Sequence, residues 1–170
     1  IMEVWRHAQD VIRQFKQCDN AVLFASGSCW EGVDFPGDMV SSLILPRLPF
    51  SAPDPLSEAE REQYPTLENY IHEAVVPEMQ RKLRQGFGRA IRTETDVCAV
   101  SILDRRACPG GRYHQAVLDA LPECPVTRSV GEIEAFLRFK KGPEYFREER
   151  SWKNKNETYA MKSSITQPIL

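Results

Sequence analysis

Residues 66–106, TLENYIHEAVVPEMQRKLRQGFGRAIRTETDVCAVSILDRR, join a long helical pattern to a short apolar run, and this junction decides the fold class. Within residues 66–92 an apolar residue recurs every four positions, which predicts one apolar stripe along a helix: Ile71, Val75, Met79, Leu83 and Phe87. Pro77 should kink this helix or start a new one. Residues 97–103 form a short and nearly uninterrupted apolar run, typical of a strand covered on both faces in a parallel sheet.

The same two patterns recur along the rest of the chain. Further buried strands are predicted at residues 21–25 and 42–45, and further helices at 4–17, 111–121 and 131–139. This alternation predicts an α/β fold with a mostly parallel sheet flanked by helices. Five prolines make residues 46–65 irregular over most of their length. We expect one domain over residues 1–150 and a polar tail over residues 151–170.

Composition limits the classes of protein that the chain can represent. Its 170 residues are enough for one ordinary domain, and 42% hydrophobic with 27% charged residues is a soluble, globular composition. No apolar run approaches the roughly 20 residues of a membrane span, and no secretory signal opens the chain. Because it begins with Ile1, we expect a fragment of a longer protein. The five cysteines are irregularly spaced, which favours reduced, cytosolic thiols over a metal site.

A basic cluster ends the long helix. Gln85, Arg89 and Arg92 follow at intervals of four and three, so a continuous helix would place them on one face. Gly86 and Gly88 interrupt the helix and each cost about 1 kcal/mol relative to alanine, a cost that is understandable where a ligand must approach the backbone. Paired guanidinium groups bind phosphate oxygens well. The alternative is a solvated basic face, which further basic residues would extend: Arg81, Lys82 and Arg84.

A crowded loop, GSCWEGVDFPG at residues 27–37, follows the first predicted strand of this pattern. Ligands of α/β folds bind at the carboxyl ends of strands. Glu31 and Asp34 could hold a metal, orient a ribose hydroxyl or cap a helix, and their spacing leaves all three open. Asp104–Arg106 lies at the end of another strand, where it is either part of a site or only a polar turn. No catalytic triad and no phosphate-binding loop are present, so the chain cannot hydrolyse a nucleotide alone.

Three segments in order carry a resemblance: WEGVDFPG at 30–37, LILPRLPFSAPDPL at 43–56 and RQGFGRAIRTETDVCAVSILDRR at 84–106. Together they resemble the second motor domain of the DinG/XPD-like superfamily 2 helicases, over roughly residues 10–140. The first segment looks like motif V of that family. The last contains its motif VI, Gln-x-x-Gly-Arg-x-x-Arg. The resemblance implies a RecA-like, three-layer α/β fold.

The resemblance also implies roles for the residues of motif VI. Arg89 and Arg92 match arginines that reach the γ-phosphate of ATP held by the first motor domain, where they stabilise charge on the transferred phosphoryl group. Gln85 matches the polar residue that places this motif near the nucleotide and the attacking water. Gly88 belongs with the residues on the nucleotide side.

Motif V implies a second set of roles. Gly32 and Asp34 match residues that link the ATP cleft to the nucleic-acid groove, and Glu31 is grouped with them on the nucleotide side. Ser28 and Trp30 match positions near the path of the single strand.

The implied protein is a 5′→3′ DNA helicase acting on single-stranded DNA, forks or R-loops, cytoplasmic in a bacterial cell and without a membrane partner. Its first motor domain, on the same polypeptide, would hold most of the ATP and Mg²⁺ site. A 4Fe–4S cluster could occur elsewhere in that polypeptide, whereas we expect no metal in this chain and no activity from it alone. One alternative is a degenerate helicase-like domain that serves as a binding module. A Rossmann-like enzyme is disfavoured, since no glycine-rich dinucleotide turn follows the first strand.

Overall fold

Four short strands form two parallel pairs in the computed structural model, which describes residues 2–3, 8–18, 20–25, 33, 35 and 39–146. The first pair joins β1 (Met2–Glu3) to β2 (Leu23–Phe24). The second joins β3 (Ser42–Leu45) to β4 (Ala99–Ile102), with Ser42 opposite Ala99 and Leu45 opposite Ile102. Parallel neighbours need a crossover connection, and helices supply it here. The predicted α/β class is confirmed.

Six α-helices accompany the strands in the described residues: α1 (Ala8–Lys16), α2 (Pro55–Arg61), α3 (Leu67–Tyr70), α4 (Val76–Ala90), α5 (His114–Ala120) and α6 (Val130–Lys140). A π-helical segment, Ile71–Val75, connects α3 to α4, and 3₁₀ turns lie at Arg105–Ala107 and Pro143–Tyr145. No helix among these residues is both long and apolar enough to cross a membrane.

The long helix starts where the sequence predicts. Thr66 is its N-cap, and the Thr66 hydroxyl accepts a hydrogen bond from the Asn69 backbone N–H at 3.1 Å. Pro77 has no N–H to donate to the preceding turn, and the chain passes this point through the wider π-helical segment before α4 begins at Val76. The backbone keeps right-handed helical angles at Val75 and Val76, so the helix changes type here without a break. The prediction that Pro77 kinks the helix or starts a new one stays a prediction.

The core of the first compact unit, Ile1–Ser129, is built around α4. Its buried side chains come from the end of β3 and the segment after it, from α4 and from α5: Leu45, Leu48, Met79, Leu83, Val117 and Ala120. Met79 and Leu83 are essentially inaccessible, at 1% and 0% exposure, so they contribute most per residue to hydrophobic stabilisation. Gln80 adds a polar link, since its Nε2 donates to the Ala116 carbonyl at 2.9 Å.

One expectation about local structure needs correction. The runs at 21–25 and 42–45 are predicted to be strands covered on both faces, yet Val22 and Phe24 are 54% and 58% exposed and Ile44 is 57% exposed. Each of these strands has only one neighbouring strand within the described residues. The prediction that residues 46–65 are irregular over most of their length is confirmed. Helix α2 lies within them, because Pro55 occupies a first-turn position that needs no N–H donor. Asp54 and Ser57 close a capping box there.

Val130–Leu170 forms a second compact unit. Its described part consists of α6 and the following 3₁₀ turn. Arg138 donates to Glu134 at 2.9 Å and lies 4.8 Å from the Phe146 ring centroid. The boundaries predicted from sequence, 1–150 and 151–170, stay predictions, and residues 151–170 lie outside the described part of the chain.

Candidate functional site

The buried face of α4 determines which side chains its far end presents outward. Met79, Leu83, Gly86 and Ala90 are buried, at intervals of four, three and four. Phe87, the last member of the predicted stripe, is only partly buried, so the packed face passes through Gly86 and Ala90 instead. Arg81, Arg84 and Gly88 are consequently exposed on the opposite side of the helix.

Gln85 and Arg89 lie between these two faces, one helical turn apart. Both are partly buried, and α4 runs through both positions, so the structure brings these two predicted site residues together. The Gln85 Oε1 atom is buried and accepts no hydrogen bond within the described part of the chain. Arg89 likewise forms no ion pair with any described residue. Such polar groups are normally satisfied when buried, and unsatisfied ones are typical of sites that meet a ligand or another domain.

Arg92 requires a correction, because it does not share a helical face with Arg89. Helix α4 ends at Ala90, and Ile91 has the extended angles φ −131° and ψ 113°. The cause is Asp96, whose Oδ2 accepts the backbone N–H groups of Arg92 and Thr93 at 2.8 and 3.0 Å. Asp96 thereby competes with continuation of the helix. Arg92 stands on the turn that follows α4, and the interval of three residues carries no information about its direction.

Gly88 leaves the helix backbone open. A Cβ atom built at Gly88 would meet nothing within 4 Å, and the residue is exposed. Nothing described therefore requires a glycine at this position for packing. The expectation that a ligand approaches the backbone here stays a prediction.

The alternative of a solvated basic face holds for only part of α4. Lys82 Nζ donates to the Ser51 hydroxyl at 2.6 Å and lies 3.1 Å from Glu78 Oε1. The Ser51 hydroxyl also donates to Glu78 at 2.8 Å, and this bond, with help from Lys82, holds the pKa of Glu78 below its ordinary value. Lys82 therefore ties α4 to the loop after β3, whereas Arg84 is solvated and makes no ion pair with the described residues.

The turn at Asp104–Arg106 is held by hydrogen bonds that its sequence does not predict. Asp104 is buried and accepts a hydrogen bond from the Leu48 backbone N–H at 3.0 Å, across 56 positions of sequence. The Asp104 carboxylate also accepts hydrogen bonds from Arg106 Nε at 3.0 Å and from Arg106 Nη2 at 2.7 Å. The Arg106 hydrogen bond, followed by the backbone N–H groups of Leu48 and Arg106, holds the pKa of Asp104 far below its ordinary value and outweighs burial.

Aromatic rings complete this cluster. The Phe50 and Tyr113 ring centroids are 4.8 Å apart, and the Arg106 guanidinium lies 4.9 Å from Phe50 and 5.8 Å from Tyr113. This cluster is not predicted from the sequence, because Phe50 is far from Arg106 and Tyr113 along the chain. The one available signal was a carboxylate directly after a strand with an arginine two positions later.

The remaining predicted site residues cannot be compared with the structure. Ser28, Trp30, Glu31, Gly32 and Asp34 lie outside the described residues. Their roles stay predictions.

Two neighbours of these loop residues are described. Val33 is buried, and the Phe35 ring packs edge-on against Phe15 of α1 at 5.6 Å. No group of three or more His, Cys, Asp or Glu within the described part of the chain could hold a metal ion.

Comparison with known proteins identifies the class to which this arrangement belongs. The family described as "Helicase C-terminal domain" matches residues 3–124. The chain is 38% identical over 130 residues to 3′-5′ exonuclease DinG of Bacillus subtilis, covering 75% of this chain and 14% of that protein. It is 42% identical over 104 residues to ATP-dependent DNA helicase DinG of Photobacterium profundum, covering 60% and 15%. It is 37% identical over 132 residues to ATP-dependent DNA helicase YoaA of Haemophilus influenzae, covering 76% and 20%.

The chain belongs to the helicase C-terminal domain family, a RecA-like α/β class. Within that family it is a DinG-like domain, as the resemblance predicted. It spans only about a seventh to a fifth of the length of these relatives.

Proposed function

We propose that this chain is the second motor domain of an ATP-dependent DNA helicase of the DinG/XPD type, and that it supplies arginines to ATP bound on a first motor domain of the same polypeptide. One observation carries the proposal. At the end of α4, Gln85 and Arg89 lie on one face with their polar groups unsatisfied by described residues, beside the open backbone of Gly88.

The chemistry follows from the charge that develops during phosphoryl transfer. Negative charge accumulates on the oxygens of the transferred group, and a guanidinium held in place stabilises it without reorganisation. Arg89 is suited to this role because no carboxylate among the described residues neutralises it. Arg92 would add a second cation from the turn held by Asp96. Gln85 would use its amide to orient the attacking water.

Coupling to DNA completes the proposed cycle. Closure of the cleft on ATP would bring Arg89 and Arg92 to the phosphates, and opening after hydrolysis would move the domain along one strand. Gly32, Asp34 and Glu31 of the loop at 27–37 would relay the state of the nucleotide to Ser28 and Trp30 on the strand. Mg²⁺, when bound, neutralises phosphate charge, and its ligands would belong to the first motor domain.

The test uses the complete helicase polypeptide on partial duplexes that carry either a 5′ or a 3′ single-stranded tail. We expect ATP-dependent unwinding of the 5′-tailed substrate and ATP hydrolysis that increases with single-stranded DNA. The 170-residue chain alone should hydrolyse no ATP. Hydrolysis by this chain alone would contradict a divided site.

The alternative hypothesis, a degenerate helicase-like domain that serves as a binding module, predicts a different result. A polypeptide whose upstream sequence lacks Gly-x-x-x-x-Gly-Lys-Thr and an Asp-Glu-x-His box, and which binds DNA without hydrolysing ATP, would establish that alternative and overturn our proposal.

A further inference from the structure

A second group of arginines lies at the carboxyl ends of β3 and β4, apart from α4. We define the carboxyl-edge cluster as Arg47, Phe50, Arg105, Arg106 and Tyr113. The strands end in register, with Leu45 opposite Ile102, and the Leu103 N–H continues the pairing to the Leu45 carbonyl at 2.9 Å. The bond from Leu48 to Asp104 then holds the two following segments side by side. Arg47 and Arg105 each adjoin one partner of that bond.

Within the cluster, Arg106 has a guanidinium that is held by hydrogen bonds. Asp104 binds the Nε and Nη2 atoms of its guanidinium, which leaves Nη1 without a hydrogen bond in the described part of the chain. The side chain is nevertheless 48% exposed. Asp104 therefore holds this guanidinium in one orientation, and the partly exposed group keeps donors that no described residue accepts. Such a group suits a phosphate oxygen.

The flanking arginines make the cluster electropositive. Asp104 and Arg106 neutralise each other, whereas Arg47 and Arg105 are exposed and form no ion pair with the described residues. The chain as a whole carries a formal charge of −2, so this positive charge is local. The faces of Phe50 and Tyr113 are already next to Arg106, which leaves little aromatic surface for stacked bases. The chemistry favours a polyanion recognised through its backbone.

We propose that the carboxyl-edge cluster binds the phosphate backbone of single-stranded nucleic acid, with Arg106 on one phosphate and Arg47 and Arg105 on its neighbours. The inference rests on the proposed helicase function. It adds a grip on the strand that is distinct from motif V and from the arginines of α4. Because only phosphates are contacted, the grip is independent of sequence and sensitive to salt.

The experiment measures the affinity of the complete helicase for oligo-dT and oligo-dA across a series of salt concentrations. The test variant is Arg47→Gln/Arg105→Gln, which keeps the bond between Asp104 and Arg106. The control is Arg61→Gln/Arg128→Gln, which removes the same charge from two exposed arginines elsewhere. With about 0.7 counterion released per phosphate contact, the test variant should lower the salt slope by about 1.4 and the affinity by about 25-fold at 0.1 M salt. Both oligonucleotides should be affected equally, and the control should match the wild type.

The other outcomes overturn the inference in distinguishable ways. A slope unchanged in the test variant, while the wild type unwinds DNA, refutes the cluster and leaves the proposed function intact. An equal fall of the salt slope and the affinity in the control would indicate that binding depends only on the total charge of the chain, and this too would refute the cluster. Normal DNA affinity combined with altered ATP hydrolysis in the absence of DNA would indicate that the cluster contacts an acidic protein surface. A wild type that neither binds single strands nor hydrolyses ATP refutes the proposed function itself.

Discussion

Two aspartates, eight positions apart, organise the two arginine-bearing turns of this molecule in different ways. Asp96 accepts the backbone N–H groups of Arg92 and Thr93 and the Thr93 hydroxyl, so it fixes the path of the chain after α4. Asp104 is buried and binds the guanidinium of Arg106 directly. One carboxylate therefore determines where a helix stops, and the other determines how an arginine is presented.

The difference shows that an aspartate near an arginine can either fix the path of the backbone or hold the guanidinium and neutralise its charge. A carboxylate that binds the backbone sets the start of a turn, and its loss shifts the residues that follow. A carboxylate that binds a guanidinium in a buried setting neutralises part of its charge, and its loss leaves donors unsatisfied. Substitutions at the two turns should consequently produce effects of different kind and size.

The largest effect is expected at the arginines of the proposed ATP site. Arg89→Ala or Arg92→Ala in the complete helicase should lower kcat for ATP hydrolysis by about 10³-fold or more, because the charge of the transferred group loses its partner. Affinity for single-stranded DNA should be kept. Steady-state hydrolysis and DNA-binding titrations measure the two quantities. Arg84→Ala on the exposed face of α4 is the matched control, and near-normal hydrolysis by both test variants would refute the assignment.

Asp104 should give the next largest effect, on stability. Asp104→Ala leaves the Leu48 N–H and the Arg106 guanidinium without their acceptor, so the free energy of unfolding should fall by about 2 to 3 kcal/mol. Urea unfolding of the chain measures this change. Glu123→Ala, at an exposed position, should change stability by less than about 0.5 kcal/mol. Equal stability of the two variants would contradict the proposed importance of the turn.

The same carboxylate predicts a pH dependence. Because the pKa of Asp104 is lowered in the folded state, its contribution to stability is complete at neutral pH. It should decline as the pH falls below the ordinary aspartate pKa of about 3.9 towards the lower folded value. Unfolding measured from pH 7 downward should therefore show the wild type and Asp104→Asn converging in acid. A constant difference between them across that range would refute the linkage.

Asp96 should give a smaller effect. Asp96→Ala removes the acceptor of two backbone N–H groups at a partly exposed turn, which should cost about 1 to 2 kcal/mol of stability. In the complete helicase it should lower kcat by at most about 10²-fold through misplacement of Arg92. Asp96→Asn keeps one acceptor oxygen and should recover part of both losses. A variant as inactive as Arg92→Ala would mean that Asp96 does more than hold the turn.

Substitution of Gly88 should give the smallest effect, and it should raise the free energy of unfolding where the other substitutions lower it. Gly88→Ala should stabilise the chain by roughly 1 kcal/mol, because alanine favours the helix and the space around the added methyl group is open. If a ligand approaches this backbone, the same change should lower ATP hydrolysis by the complete helicase. Thermal unfolding and hydrolysis assays separate the two consequences.

Gly111→Ala is the contrasting control for that experiment. Its Cβ would lie 2.5 Å from the Arg106 carbonyl oxygen, so this substitution should destabilise the chain. Stabilisation by both substitutions would contradict the packing described around the 3₁₀ turn.

Local patterns predicted much of the fold. The strand at 42–45 has the predicted bounds, and the start of the long helix at Thr66 depends only on neighbouring residues. The pair Gln85 and Arg89 was predictable for the same reason, since an interval of four lies within one helix. The position of Arg92 was not predictable. The end of α4 depends on whether the Arg92 N–H donates to Asp96 or to a carbonyl of the helix.

By itself, the sequence determined the alternation of helices and strands, the apolar stripe of α4 and the motifs that identify the family. These features depend on residues close in the chain, whose spacing fixes which face they share. Only the tertiary structure decided that Asp104 meets the Leu48 N–H, and that Arg106 lies beside Phe50 and Tyr113. Those contacts join segments up to 56 positions apart, and they form only when the parallel pairing of β3 with β4 brings their carboxyl ends together.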